Sequence, residues 1–388
     1  MTDNNVWQPP SSAPAPGVPS FGPPVGQPAA WTPPPKPGLI PLRPLGFGTL
    51  LGAAFQVIRR NPRPTFGIAL LFNGVVLLLF AAVVGGVTAW AFGRLNSATS
   101  ADSSDIQAGA IGAIIVSALI PVALSVLVAA ILQGLISLEV SRATIGEKLT
   151  TGGLWRLARG RIGALIGWSA LTTGAVLVAV VVVALIITLI ISLGGQAGLV
   201  IGVVLAILAG LASIVLWAWI STKIALVPSV LMLERLTLPQ AVRRSWRLTS
   251  GMSYFWKTLG TLLLVYVIVQ VAAQVVSTPL GIVAGIGGVL INPNGDQSAG
   301  IAVIVVTYAI SGVVGLVFGA LASVTQSSVA ALVYIDIRMR KEGLDLDLVR
   351  FVEARQVGDA GVGNPYLPAQ PGPAADSPPP APSTSPWA

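Results

Sequence analysis

The side chains with the clearest chemical potential lie in TLPQAVRRSWRLTSGMSYFWK, Thr237 to Lys257. Arg243, Arg244, Arg247 and Lys257 are cations interleaved with Trp246 and Trp256. Guanidinium groups pair with phosphate oxygens while indole rings settle among lipid headgroups, so the set is suited to anionic phospholipid. Each cation contributes about 1 kcal/mol near an anionic leaflet. The competing reading is orientation alone, because an excess of Lys and Arg on the cytoplasmic side predicts the same residues.

Other chemistry is narrowed by what the chain lacks. It contains no His and no Cys, which removes disulfides, thiolate nucleophiles, Cys/His zinc sites and histidine general bases. No phosphate-binding glycine loop, nucleophile elbow or paired-histidine helix motif is present. Glu342, Asp345 and Asp347 follow Lys341 and read as a solvated face, not a metal site. The reading is therefore of a chain that is no enzyme, with no catalytic residue, metal or cofactor. Nucleic acid is also set aside: the net charge is +8, but the cations are dispersed between apolar runs.

Those runs place the cations. With 54% hydrophobic residues, 9% charged residues and a mean hydropathy of +0.83, this is an integral membrane protein. Six spans are expected, at about 66–91, 108–138, 162–193, 199–220, 258–276 and 301–333. Residues 280–291 are apolar but short, and read as an interfacial or re-entrant piece. Residues 1–38 and 353–388 are rich in Pro, Ala, Gly and Ser and read as disordered cytoplasmic tails, docking strips for protein partners or simple solvated extensions. All but Arg94 of the 22 Lys and Arg fall on one side of this arrangement, which places both termini in the cytoplasm of a multi-pass cell-membrane protein.

Thr237–Lys257 begins with a short helix. Thr237 and Gln240 have capping-box spacing, Pro239 sits in the first turn and Gly251 offers a left-handed stop. Leu238, Ala241, Val242, Ser245 and Trp246 share one face, while the three arginines share another. Two weaker copies precede earlier spans. In 49–60, Leu51, Ala54, Phe55 and Ile58 turn inward, with Arg59 and Arg60 turned away. In 150–161, Leu154, Leu157 and Ala158 oppose Arg156 and Arg159. The expected fold is all-α: six transmembrane helices as three pseudo-repeated pairs, each preceded by a cytoplasmic interfacial amphipathic helix.

The spans as bounded hold no Asp, Glu, Lys or Arg, which weighs against an ion-coupled transporter. Asn73, Gln133, Gln270, Gln274 and Gln326 are the polar exceptions. Gln270 and Gln274 share a face and either line a cavity or bond between helices. Small-xxx-small spacing occurs at Gly198/Gly202, Gly281/Gly285 and Gly315/Gly319.

IPLRPLGFGTLLGAAFQVIRRNPRPTFG, VPSVLMLERLTLPQAVRRSWRLTSGMSYFWKTLGTLLLV and YIDIRMRKEGLDLDL together resemble actinobacterial glycerophosphoryl diester phosphodiesterase membrane domain proteins, over about residues 39–352. The resemblance implies a multi-span membrane domain. The catalytic barrel sometimes joined to such domains depends on histidines, which this chain does not have. The expected role is a non-catalytic scaffold or lipid-associated accessory protein. The alternatives are a transporter or lipid-translocating permease, and a membrane enzyme of glycerophospholipid metabolism.

Overall fold

The computed structural model describes residues 38–97, 103–291, 297–359, 361 and 363–367. Residues 1–37 of the segment read as a tail at 1–38, and most of that at 353–388, lie outside them. Every regular element among the described residues is helical.

Residues 39–45, LIPLRPL, bury Leu39, Ile40, Leu42 and Leu45 in the core. Gly38 opens this strap, where an added Cβ would lie 2.0 Å from the Ala143 carbonyl oxygen. Helix α1 (Phe47–Arg60) follows and buries Leu50, Ala53, Ala54 and Val57. That stripe is rotated from the expected one: Phe55 faces outward, because the helix packs its small residues against the last long helix. A π-helical turn at Arg63–Gly67 leads into α2 (Ile68–Asn96).

The returning helix α3 (Ser103–Thr144) continues past its apolar run, carrying Pro121 without breaking. Next, α4 (Thr151–Ala158) starts at Thr150, whose hydroxyl accepts from the Gly153 N–H at 3.2 Å. As expected, it buries Leu154 and Ala158 and exposes Arg156 and Arg159.

Helix α5 (Ile162–Ile224) has 63 residues. A straight rod of that length would be about 95 Å long, three times the hydrocarbon thickness. It folds back instead at Gly195, whose φ of 53° and ψ of −135° are open to glycine but strained for other residues. A Cβ on Gly198 would sit 2.4 Å from the Ile190 carbonyl oxygen, and one on Gly202 would sit 2.5 Å from the Ile191 side chain. Residues eight positions apart in a straight helix are about 12 Å apart, so these contacts define an antiparallel hairpin. The turn expected across 194–198 is narrowed to Gly195.

The wholly buried α6 (Val227–Leu233) is followed by α7 (Leu238–Leu248). The Thr237–Gln240 capping box forms, with Gln240 Oε1 accepting from the Thr237 N–H at 3.2 Å. Gly251 takes a φ of 96°. Ala241, Ser245 and Leu248 face the core, whereas Trp246 turns out to 41% exposure.

Helix α8 (Met252–Ile291) contains Pro279 and runs unbroken through 280–291. The interfacial or re-entrant reading of that segment is thus corrected: it is the end of a long helix. Pro279 removes one donor without ending the helix, a loss that apolar membrane helices tolerate. Helices α9 (Gln297–Glu342) and α10 (Leu344–Gln356) complete the described elements, so the boundary expected at 353 falls inside a helix.

Five helical segments are long and apolar enough to cross a membrane. The α5–α6 segment counts once among them, although the chain reverses at Gly195. Burial is divided along the molecule. The most apolar stretch of 162–233 buries none of its residues, whereas that of 309–342 buries 56%. The core therefore sits at the charged end, where α1, α6, α7 and the ends of α3 and α9 meet.

Candidate functional site

The charged end is built around three carboxylates that directly follow apolar runs: Glu139 in SLE, Glu234 in MLE and Asp336 in YID. Each sits where a returning helix leaves its apolar stretch, and each is at most 4% exposed. A buried carboxylate demands donors, and each finds a different set.

Glu234 accepts from Tyr334 Oη at 2.8 Å and from Arg244 Nε at 2.9 and 3.1 Å. Arg338 stands 3.9 Å away and donates to Tyr334 Oη at 3.0 Å and to Glu342 at 2.9 Å. Arg244 also bridges to Glu342 at 2.6 Å. Two acids, two arginines and a tyrosine thus neutralise one another across α6, α7 and α9. Glu342, expected on a solvated face, belongs to this network because α9 carries it back against α7.

Asp336 accepts from the Leu45 N–H at 2.7 Å, from Arg340 Nε at 3.0 and 3.1 Å, and from Lys257. Arg340 also donates to the Leu45 carbonyl at 2.8 Å. The start of α1 is thereby fastened to the end of α9. Glu139 accepts from Asn61 Nδ2 at 2.9 Å, and the same amide donates to the Leu149 carbonyl at 2.8 Å. The second oxygen of Glu139 has no partner among the described residues.

A parallel regularity links each outgoing helix to its own return. Arg60 donates to the Ala143, Gly146 and Glu147 carbonyls at 3.3, 2.9 and 3.4 Å. Arg161 donates to the Leu236 carbonyl at 3.1 Å and to that of Arg235. Lys257 reaches Asp336. In each case a cation just before or at the start of an outgoing apolar run clasps the exit of the run that returns.

Chain segments are tied in by similar means. Tyr366 is 2% exposed; its hydroxyl donates to the Ser141 carbonyl at 2.9 Å and its own carbonyl accepts from Arg338 at 2.9 Å. Burial pushes this phenol above its ordinary range, keeping it a neutral donor. Lys341 and Lys223 donate to the carbonyls of 247–250 at 2.9 to 3.2 Å, where the helix α7 dipole is negative.

The expected lipid-contact residues divide accordingly. Arg59, Arg156, Arg159, Arg243 and Arg247 are exposed, as are Trp246 and Trp256. Arg60, Arg244 and Lys257 are half-buried and engage core carboxylates and carbonyls. Helical spacing put Arg243, Arg244 and Arg247 together, but Arg244 lies on the edge of the face where α9 closes.

One cavity, of about 240 Å³, lies away from this end between α8 and α9, lined by Val269, Gln270, Ser277, Ser311, Gly315 and Phe318 among others. No charged residue lines it. Among the described residues no group of three or more Asp and Glu is placed to hold a metal ion.

No family model, curated protein or solved structure matches this chain.

Proposed function

We propose that this protein is a non-catalytic membrane scaffold whose cytoplasmic layer gathers anionic phospholipids. It crosses the cell membrane six times, as α2/α3, the two arms of α5, and α8/α9, with α1, α4 and α7 lying on the inner surface before each pair. The Gly195 hairpin converts five long apolar segments into six crossings. The resemblance over residues 39–352 implies the same kind of multi-span domain.

The observation that carries the scaffold reading is the mutual neutralisation of the buried charges. Glu234 and Asp336 spend their oxygens on Arg, Lys, Tyr and backbone donors, a use that holds helices together. The exposed arginines around them supply a headgroup surface. The transporter alternative is weaker because the cavity between the paired helices α8 and α9, of about 240 Å³, is lined by no charged residue.

The deciding experiment is lipid analysis of the full chain extracted in native membrane discs. Enrichment of anionic phospholipid over the bulk membrane, lost when Arg156, Arg159, Arg243 and Arg247 become Gln, is expected. Unchanged composition, or turnover of glycerophosphodiesters above a vector control, would refute the proposal. Orientation is checked by Ser250→Cys in this Cys-free chain: labelling from inside only is expected.

A further inference from the structure

Along α8, Tyr266, Gln270 and Gln274 recur every four residues and so occupy one face. All three are exposed, and among the described residues none of their side chains makes a hydrogen bond. In water this would need no comment. Gln270, however, lies thirteen residues, about 20 Å, beyond Lys257, and so inside the crossing proposed above for α8, where the hydrocarbon layer is about 30 Å thick. At that depth acyl chains offer no donor or acceptor, and an unsatisfied amide is expensive. The amides were expected to bond between helices of this chain or to line a cavity. Gln270 does line the α8–α9 cavity, yet among the described residues neither amide finds a hydrogen-bond partner.

From these unpartnered groups we infer that the Tyr266–Gln270–Gln274 face of α8 docks against a second copy of the same chain within the membrane. Several observations select that occupant. A primary amide carries both donors and an acceptor, so the same face presented by a second copy across a two-fold axis is self-complementary. The adjoining cavity is lined by no charged residue, and since a dry space of 150 Å³ accommodates a benzene ring, one of about 240 Å³ has room for an inserted side chain. Gly315 and Gly319 border it with nothing within 4 Å of an added Cβ, leaving their backbone open to close approach. A lipid chain would fill the space without pairing the amides.

The test uses the full chain in liposomes at low density, with subunits counted by single-molecule photobleaching. A dimer is expected. Tyr266→Phe combined with Gln270→Leu and Gln274→Leu keeps the apolar volume and should weaken dimerisation about tenfold, the effect of a few interhelical hydrogen bonds. Among the described residues these side chains pair with nothing in their own chain, so unchanged protease resistance should accompany the loss. Ala273→Cys, which borders the cavity, should form a disulfide between copies; Leu185→Cys on the exposed α5 arm should not. A monomer at every density, a dimer indifferent to the triple variant, or absence of the Ala273→Cys cross-link would overturn the inference. So would retention of one tightly bound lipid that the triple variant loses while the protein stays monomeric. The charged-layer scaffold would stand after any of these, since it does not depend on α8 pairing.

Discussion

At the residue scale the molecule separates two kinds of cation that look alike in the sequence. Arg338 is nearly buried and faces Glu234, Glu342, Tyr334 and the Tyr366 carbonyl. Removing one partner of such a network strands the rest, so Arg338→Ala should destabilise by about 3–5 kcal/mol. Arg247→Ala, on the exposed face, should stay within about 0.5 kcal/mol. Paired thermal unfolding scans in one detergent read the contrast, and equal shifts would refute it. Tyr366 separates packing from hydrogen bonding in the same assay. Tyr366→Phe loses only the bond to Ser141, about 1 kcal/mol, whereas Tyr366→Ala also empties a buried aromatic site, at about 3–5 kcal/mol. The three carboxylates themselves were legible in principle. An acid directly after an apolar run recurs in SLE, MLE and YID, and a glycine of positive φ follows seven residues later at Gly146 and Gly343. Helical periodicity missed them because it reads faces of single helices, and these acids are defined by helices arriving from elsewhere.

At the element scale, local signals were read well and continuity poorly. Thr150 and the Thr237–Gln240 box mark helix starts that form as expected, because capping is decided within four residues. Helices α3 and α8 run beyond the expected spans 108–138 and 258–276. Polar residues after an apolar run signal departure from hydrocarbon, but α3 continues into a protein core that buries Glu139, Ser141 and Thr144. Pro279 lies inside α8 without ending it. The α5 reversal rests on close approach: Gly198→Val would place side-chain atoms where the Ile190 carbonyl already sits, so the two arms must separate. Spin labels at Leu185 and Leu205, on opposite arms, should report a longer and broader distance distribution in Gly198→Val than in the parent. An unchanged distribution would mean that the hairpin does not depend on glycine there.

At the scale of the whole molecule, the distribution of positive charge has two separable consequences. Arg60, Arg161 and Lys257 clasp the exits of returning helices, whereas Arg59, Arg156, Arg159, Arg243 and Arg247 face outward. Counting Lys and Arg along the chain treats all of them as one orientation signal, which is why this division of labour is not legible in the sequence. Neutralising the outward set to Gln removes about 1 kcal/mol of attraction per charge to an anionic leaflet. Retention of anionic lipid should therefore fall steeply, and the residual preference should vanish above about 0.5 M salt, where screening shortens electrostatic reach to a few ångströms. Thermal stability in neutral detergent should barely move. Arg60→Gln with Arg161→Gln should do the opposite: the orphaned helix-end carbonyls lower stability, while lipid preference is retained because the outward face is untouched. Measuring both quantities on both variants gives a crossed pattern if the clasps and the headgroup surface are distinct. Parallel losses in both would mean that the charged layer holds the fold and the lipid through the same residues.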